Sequence, residues 1–294
     1  MSAEALPASA EAGAVPTGGG APVAPPVVAT SAFQAGIATD RNSRWRRTME
    51  DAHAIIPGFG GVQGQGYFGI FDGHAGKFAA EWCRDHFGHI LEAEQAAHPA
   101  TDALEVLSST YLKVDSTLEE ESAKCNAHSG CTAVTSFLQV VAAPDTQRPE
   151  RVLNTANVGD ARAVLCRGGK AIVLTYDHKG SDELEVQRIT SKGGFLLNNR
   201  VNGVLAVTRS LGDFSMKEFV VGAPFTTRIV LRDEDEFLII ACDGLWDVIS
   251  DQEAVDQIAT VTDSQAAAEQ LLRHALDHFS TDNVSVMVVR FAHT

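Results

Sequence analysis

Basic residues are scarce in this chain: 23 Lys and Arg stand against 38 Asp and Glu, a formal charge of -15. That balance excludes a general binder of nucleic acid or of an anionic membrane, so any anionic substrate must be met locally. Cysteine is also sparse. Cys83, Cys125, Cys131, Cys166 and Cys242 are odd in number, include no CxxC pair, and lie mostly in apolar runs as small buried hydrophobes do. This usage fits a reducing compartment, and a cytoplasmic or nuclear location is expected. No segment is long and apolar enough to span a bilayer. Residues 1–33 contain no Lys or Arg and only Glu4 and Glu11 as charges; they are built mainly from Ala, Pro, Gly, Ser, Thr and Val. Such a segment lacks the large side chains of a core and reads as a disordered tail, with residues 34–294 as the folded domain. The missing basic residues count against a secretory or mitochondrial leader, and Ser2 stands where N-myristoylation needs glycine.

Several phosphate-handling and metal signatures are missing too. There is no GxxxxGK[ST] loop and no twelve-residue EF-hand pattern. A thiol phosphatase needs Arg six positions after its nucleophilic Cys, and positions 89, 131, 137, 172 and 248 hold His, Cys, Phe, Ile and Val.

What is present is a chain of 294 residues, 45% hydrophobic, enough for a genuine core. Strand-like runs occupy 52–56, 67–71, 151–156, 161–166, 171–174, 236–242 and 284–291. Helical spacing appears at 77–91, where Phe78, Ala79, Trp82, Cys83, Phe87, Ile90 and Leu91 share one face, and at 254–258 and 264–279. Gly168 and Gly169 between two apolar runs signal a hairpin and hence antiparallel pairing. Strands with helices gathered into two blocks indicate an α+β layered domain.

Two of the apolar runs end alike. Phe68-Gly69-Ile70-Phe71 is followed by Asp72-Gly73-His74, and 237–242 by Asp243-Gly244; a third run ends in Gly159-Asp160, and Asp282-Asn283 immediately precede the last strand. A single Asp-Gly after a strand is ordinarily a turn. Recurrence together with Glu50-Asp51 is a poor match to chance turns. Carboxylates converging at one edge would repel one another and demand protons or a cation, and hard oxygen ligands suit Mg2+ or Mn2+ better than zinc. Beside them, 41–47 holds Arg41, Arg44, Arg46 and Arg47. A guanidinium next to metals is a natural fork for phosphate, although at least two of the four are expected to be merely solvated or ion-paired.

The ordered motifs RWRRTMEDAH, FGIFDGHAG, SGCTAV, ANVGDARAVL, LTYDHKGSDELEVQRI, RVNGVLAVTRSLGDF, FLIIACDGLWDVIS and TDNVSVMVV, spanning about residues 34–292, resemble the metal-dependent Ser/Thr protein phosphatases of type 2C, the PPM family. RWRRTMED, TANVGDAR, LAVTRSLGD and VVGAPFTT look most like the fungal branch that restrains stress-activated MAP kinase pathways. The resemblance implies two packed antiparallel β-sheets flanked by helices on both outer faces, with two divalent ions, Mg2+ or Mn2+, at one end. It implies that Asp72 bridges both ions, that the Gly73 carbonyl ligates one, that Asp243 and Asp282 complete the other, and that Glu50 and Asp51 hold metal-bound waters. Arg46 matches the family's phosphate-binding arginine, Asp160 and Asp247 a weaker third-metal position, and Asn283 would orient Asp282. The implied reaction is attack by a metal-bridging water on phosphoserine or phosphothreonine in protein substrates, MAP kinases among them, with His74 as general acid or, on the blander reading, as a group that orients a ligand or water. Residues 176–222 correspond to a flap that helps to choose substrate, and Gly180 is expected to loosen its corner. A monomer is expected. The alternative is a catalytically silent phosphoprotein-binding module of the same fold, but such a member would have lost one of the acids, all of which are retained here. A two-metal nuclease is disfavoured by the acidic charge.

Overall fold

The computed structural model describes residues 27–142 and 149–292. Most of the expected tail, residues 1–26, therefore lies outside the described residues. The sheet begins ahead of the expected boundary at 34, because Val28 and Ala29 pair with Ala35 and Gln34.

In chain order the first elements are β1 (Val28–Ala29), β2 (Phe33–Asp40), β3 (Ala52–Pro57), β4 (Gly66–Phe71), β5 (Gly73–His74), α1 (Phe78–Ala97), α2 (Ala103–Cys125), β6 (Gly130–Cys131), β7 (Ala133–Val141), β8 (Glu150–Val158), β9 (Arg162–Arg167) and β10 (Lys170–Val173). Then come α3 (Glu183–Ser191), β11 (Leu196–Leu197), β12 (Arg200–Val201), β13 (Leu211–Gly212), β14 (Phe225–Val230), β15 (Asp235–Ala241), α4 (Asp243–Trp246), α5 (Asp251–Ile258), α6 (Ser264–Asp277) and β16 (Val284–Phe291). One antiparallel sheet runs β1-β2-β16-β15-β9-β10 and the other β14-β8-β7-β4-β3. The hairpin expected at Gly168-Gly169 joins β9 to β10; both glycines have positive φ, as a two-residue turn matched to strand twist requires.

Period-two alternation explains the layers. In β4, Phe68 and Ile70 pack between the sheets with Leu238 and Ile240 of β15 and Met287 and Val289 of β16. Tyr67 and Phe71 point the other way, against Cys83, Phe87 and Leu91 of α1 and Tyr111 of α2. On the opposite outer face Phe237, Ile239, Val286 and Val288 meet Val255, Ile258, Ala268 and Leu271 of α5 and α6. Each sheet thus has two apolar faces, which is why its strands read as continuous apolar runs and why helices cover both sides.

Sequence periodicity located α1, α5 and α6 but not α2 or α3. In α2 the buried positions Val106, Leu107, Thr110, Tyr111, Val114 and Leu118 do recur at helical spacing, diluted by Ser, Thr and Glu on the wet face. Strand β2 was hidden because Gly36 and its alanines interrupt the apolar signal. The small residue has a physical cause: a Cβ on Gly36 would lie 2.4 Å from the Gln265 main-chain nitrogen, where α6 docks on β2. Gln265 reinforces the contact by donating through Nε2 to the Ile37 carbonyl and accepting from the Ile37 N–H.

Residues 176–222 form the flap around α3 and the β11–β12 hairpin. Its stability rests on Glu185, buried at 2% exposure, which accepts from Arg209 (2.6 and 3.1 Å), Arg188 (2.8 Å) and the Thr208 hydroxyl (2.8 Å). Burial opposes the charge, but the hydrogen bonds from Arg209, Arg188 and Thr208 overcome it and hold the carboxyl down at about 2.

Two outcomes follow for stability. Gly36→Ala should lower stability by about 1–3 kcal/mol through overpacking, read as a reduced melting temperature. Glu185→Gln should cost about 2–4 kcal/mol at pH 7 by leaving two arginines short of their partner. Because the Glu185 pKa is depressed in the folded state, its contribution is full above the ordinary value of 4.5 and is lost as pH falls toward about 2. The gap between the variant and wild-type protein in urea titrations should therefore narrow over that acid range.

Candidate active site

The strand ends dictate where the acids go. Asp72 follows β4, Asp160 follows β8, Asp243 follows β15 and opens α4, and Asp282 precedes β16, so all four emerge at one end of the two packed sheets. They line one cleft of about 540 Å3 together with Arg46, Gly73, His74 and Asp247. Asp51, just before β3, lies behind this wall: an oxygen of Asp51, an oxygen of Asp72 and the Cys242 sulfur are within 4.8 Å of one another.

The glycines of the two Asp-Gly pairs are there for close approach. Neither has positive φ. A Cβ on Gly73 would sit 2.3 Å from the Glu50 carbonyl oxygen, and one on Gly244 2.0 Å from that of Asn283. Removing a side chain at these points lets the backbones that carry Glu50 and Asp282 close onto the strands that carry Asp72 and Asp243.

Electrostatics indicate what the cluster is suited to bind. Burial, then the neighbouring carboxylates, push Asp72 and Asp243 well above the ordinary Asp value. Burial raises Asp51 to about 6 against hydrogen bonds such as that donated by Ser285 Oγ (2.6 Å). Asp160 and Asp282 are raised by burial as well. Asp51 Oδ1 and Asp243 Oδ1 are buried with no hydrogen-bond partner among the described residues. Unpaired buried carboxylate oxygens converging from several strands are what a bound cation would satisfy. The Cys242 thiol accepts from the Ser285 N–H and faces the Asn283 carbonyl, and burial beside Asp51 and Asp72 raises its pKa well above the usual thiol range. The thiol is thus engaged by the Ser285 and Asn283 main chain, and the donors that line the cleft itself are carboxylate and carbonyl oxygens, which suit a hard divalent cation.

The remaining expected site residues take distinct places. Arg46 pairs with Asp282 and donates through Nε to the Thr281 carbonyl (3.1 Å). Among the described residues no carboxylate pairs with Arg41, Arg44 or Arg47; Arg44 lies over the exposed Trp45 ring and Arg41 donates to the Arg47 carbonyl. Glu50 does not line the cleft; its carboxylate accepts from the Thr48 hydroxyl (2.9 Å) and the Gly76 N–H (3.3 Å). Asn283 reaches Asp282 through its main-chain N–H (2.7 Å), while its side chain accepts from the Glu50 N–H and donates to the Arg41 and Thr48 carbonyls. It thereby pins the arginine-rich loop to the acid cluster. Gly180 does not loosen its corner: a Cβ there would fall 2.1 Å from the Asn199 carbonyl oxygen, so glycine permits a tight fit against the flap hairpin.

Three residues in the site carry no expectation from sequence. Asp213 is buried, accepts from Ser210 Oγ (2.5 Å) and lies 2.7 Å from His74 Nε2. It follows Leu211-Gly212 of β13, so the same strand-end Gly-Asp pattern could have found it. Thr132 lines the cleft with its hydroxyl buried and unpartnered. Lys179 projects its ammonium among Asp160, Asp177 and Asp247.

Comparison with known proteins agrees with this construction. The protein phosphatase 2C family model matches residues 35–284. The chain is 47% identical over 264 residues to protein phosphatase 2C homolog 1 of Saccharomyces cerevisiae, covering 87% of this chain and 93% of the relative. It is 46% identical over 260 residues to protein phosphatase 2C homolog 1 of Schizosaccharomyces pombe, covering 88% and 73%. A crystal structure of serine-threonine phosphatase 2C from Toxoplasma gondii superposes with a TM-score of 0.77 at 24% identity, covering 92% of this chain and 98% of that one, and so shares the fold. A sandwich that gathers acids at one end, matched across nearly its whole length by these relatives, places the chain in the protein phosphatase 2C family as a serine/threonine protein phosphatase.

Proposed function

We propose that this phosphatase hydrolyses phosphoserine and phosphothreonine in protein substrates with two divalent cations, Mg2+ or Mn2+, held by Asp72, the Gly73 carbonyl, Asp243 and Asp282, with Glu50 and Asp51 behind them. The observation that carries this reading is the pair of buried, unpartnered oxygens on Asp51 and Asp243 inside a cluster of raised carboxyl groups. Such cations would lower the pKa of a coordinated water and neutralise charge on the phosphoryl oxygens.

The chain's own groups do the rest. Arg46 is anchored by Asp282 and Thr281, which leaves N–H donors of its guanidinium for a phosphoryl oxygen. His74 is held through Nε2 by Asp213, and its Nδ1, which has no hydrogen bond among the described residues, is the nitrogen placed to protonate the leaving Ser or Thr oxygen. Asp160 and Asp247, which line the same cleft, would hold a third cation. The flap residues Asn198, Asn199 and Arg200 also line the cleft and would meet the polypeptide that carries the phosphate. Substrates among MAP kinase pathway proteins, in the cytoplasm or nucleus, are supported by the likeness of RWRRTMED and VVGAPFTT to the fungal branch of the family.

Two measurements check the chemistry. Turnover of a phosphothreonine peptide should vanish with excess EDTA, return with Mn2+, and fall by roughly 100-fold or more in Asp243→Asn, as loss of a preorganised electrostatic group requires. His74→Ala should slow the same peptide by about 10²–10⁴-fold and para-nitrophenyl phosphate, with its far better leaving group, much less. Equal losses on both substrates would remove His74 from the acid role.

A further inference from the structure

The three cation positions differ in what their acids face. Asp51 and Asp243 carry oxygens with no partner, whereas the third pair is already served by a positive charge. Lys179 Nζ lies 3.5 Å from Asp160 Oδ2, 3.7 Å from Asp247 Oδ1 and 3.8 Å from Asp177 Oδ2. Asp177 has a better partner in Arg162, which donates to it at 2.7 and 3.2 Å and is itself shared with Asp251. The ammonium charge is therefore left chiefly to Asp160 and Asp247.

We propose that Lys179 is the built-in occupant of the third cation position, so that a divalent ion binding Asp160 and Asp247 must first displace its ammonium group. The inference rests on reading those two carboxylates as cation ligands. Geometry allows the exchange. The Lys179 main chain is fixed: it bridges to Val207, and its neighbour His178, fully buried, donates its N–H to the Gly159 carbonyl and accepts from the Thr208 N–H. The side chain is not fixed in the same way, because its four-carbon stem is partly exposed and can swing the ammonium into the cleft while the backbone stays in place. Competition between a tethered monovalent cation and a diffusible divalent one weakens the third position relative to the other two without any change in its ligands. It also releases a positive charge into the cleft when the third ion arrives.

The test is Mn2+ binding to the full chain, followed by calorimetry and by the electron paramagnetic resonance of free Mn2+. Wild-type protein should show two tight sites and a weaker third. In Lys179→Met the third site should tighten by about tenfold or more, since a unit charge some 4 Å from each carboxylate has gone, whereas Lys179→Arg should behave as wild type. The gain should disappear in Lys179→Met combined with Asp247→Asn. An unchanged or weaker third site in Lys179→Met overturns the proposal, while failure of wild-type protein to bind Mn2+ at all would overturn the metal reading itself. Should the Met variant not fold, amine labelling of wild-type protein followed by mass spectrometry decides the matter. Lys179 should be labelled faster once Mn2+ exceeds the concentration that fills the tight sites, and unchanged labelling counts against displacement.

Discussion

Repulsion among buried carboxylates is the constraint around which this molecule is built. Asp51, Asp72, Asp160, Asp243 and Asp282 are all displaced upward from the ordinary carboxyl range, with burial the first cause at each. Left to themselves such groups would separate or draw in water. They cannot, because each is attached to a strand whose neighbouring residues are locked in the core: Ile70 and Phe71 before Asp72, Ala241 and Cys242 before Asp243, Val284 just after Asp282. Apolar burial between and outside the sheets thus opposes electrostatics at one end of the sandwich, and a cation bound there would relieve the repulsion.

The polar framework around the cluster serves the same end by tying distant segments together. Asn283 joins the loop that carries Arg46 and Glu50 to the strand that carries Asp282, across more than 230 residues of sequence. Asp213 reaches His74 from the flap side, and the Glu185 network fixes the chain around Thr208 and Arg209 that leads into it. Arg46 and His74, which line the cleft, are in this way supported by side chains that do not line it.

What the sequence disclosed depended on whether a residue's environment was local. Strand β16 was legible from end to end because VSVMVVRF is buried on both faces, and the hairpin at Gly168-Gly169 because its turn chemistry is contained in two residues. Asp72, Asp160, Asp243 and Asp282 could be grouped because each lies next to such a run, whereas Asp247, at the end of α4, was reached only through the family resemblance. Asp213 and Lys179 were not assigned roles: the Gly-Asp at the end of β13 marks Asp213 as a strand-end acid, but its meeting with His74, 139 residues away, and the entry of Lys179 into a carboxylate cluster are made only by the fold. The Asp-Gly pairs were recognised for their acids, while the reason for their glycines, the approach of another backbone, required the fold. The small residues of β2 concealed a strand for the same reason: contact with α6 leaves no room for the large side chains by which strands are usually recognised.

The position of β16 in its sheet has a consequence for how the protein comes into being. This strand is far from β2 in the chain, yet it lies between β2 and β15, with Phe33 opposite Phe291. Strands β3, β4, β7 and β8 pair over shorter stretches of chain, whereas β2, beyond its two-residue contact with β1, meets its full-length partner only some 250 residues further on. Asp282 arrives with that same strand. Closing the sandwich therefore also brings Asp282 to the other acids, so that the longest-range strand pairing and the assembly of the carboxylate cluster are a single event.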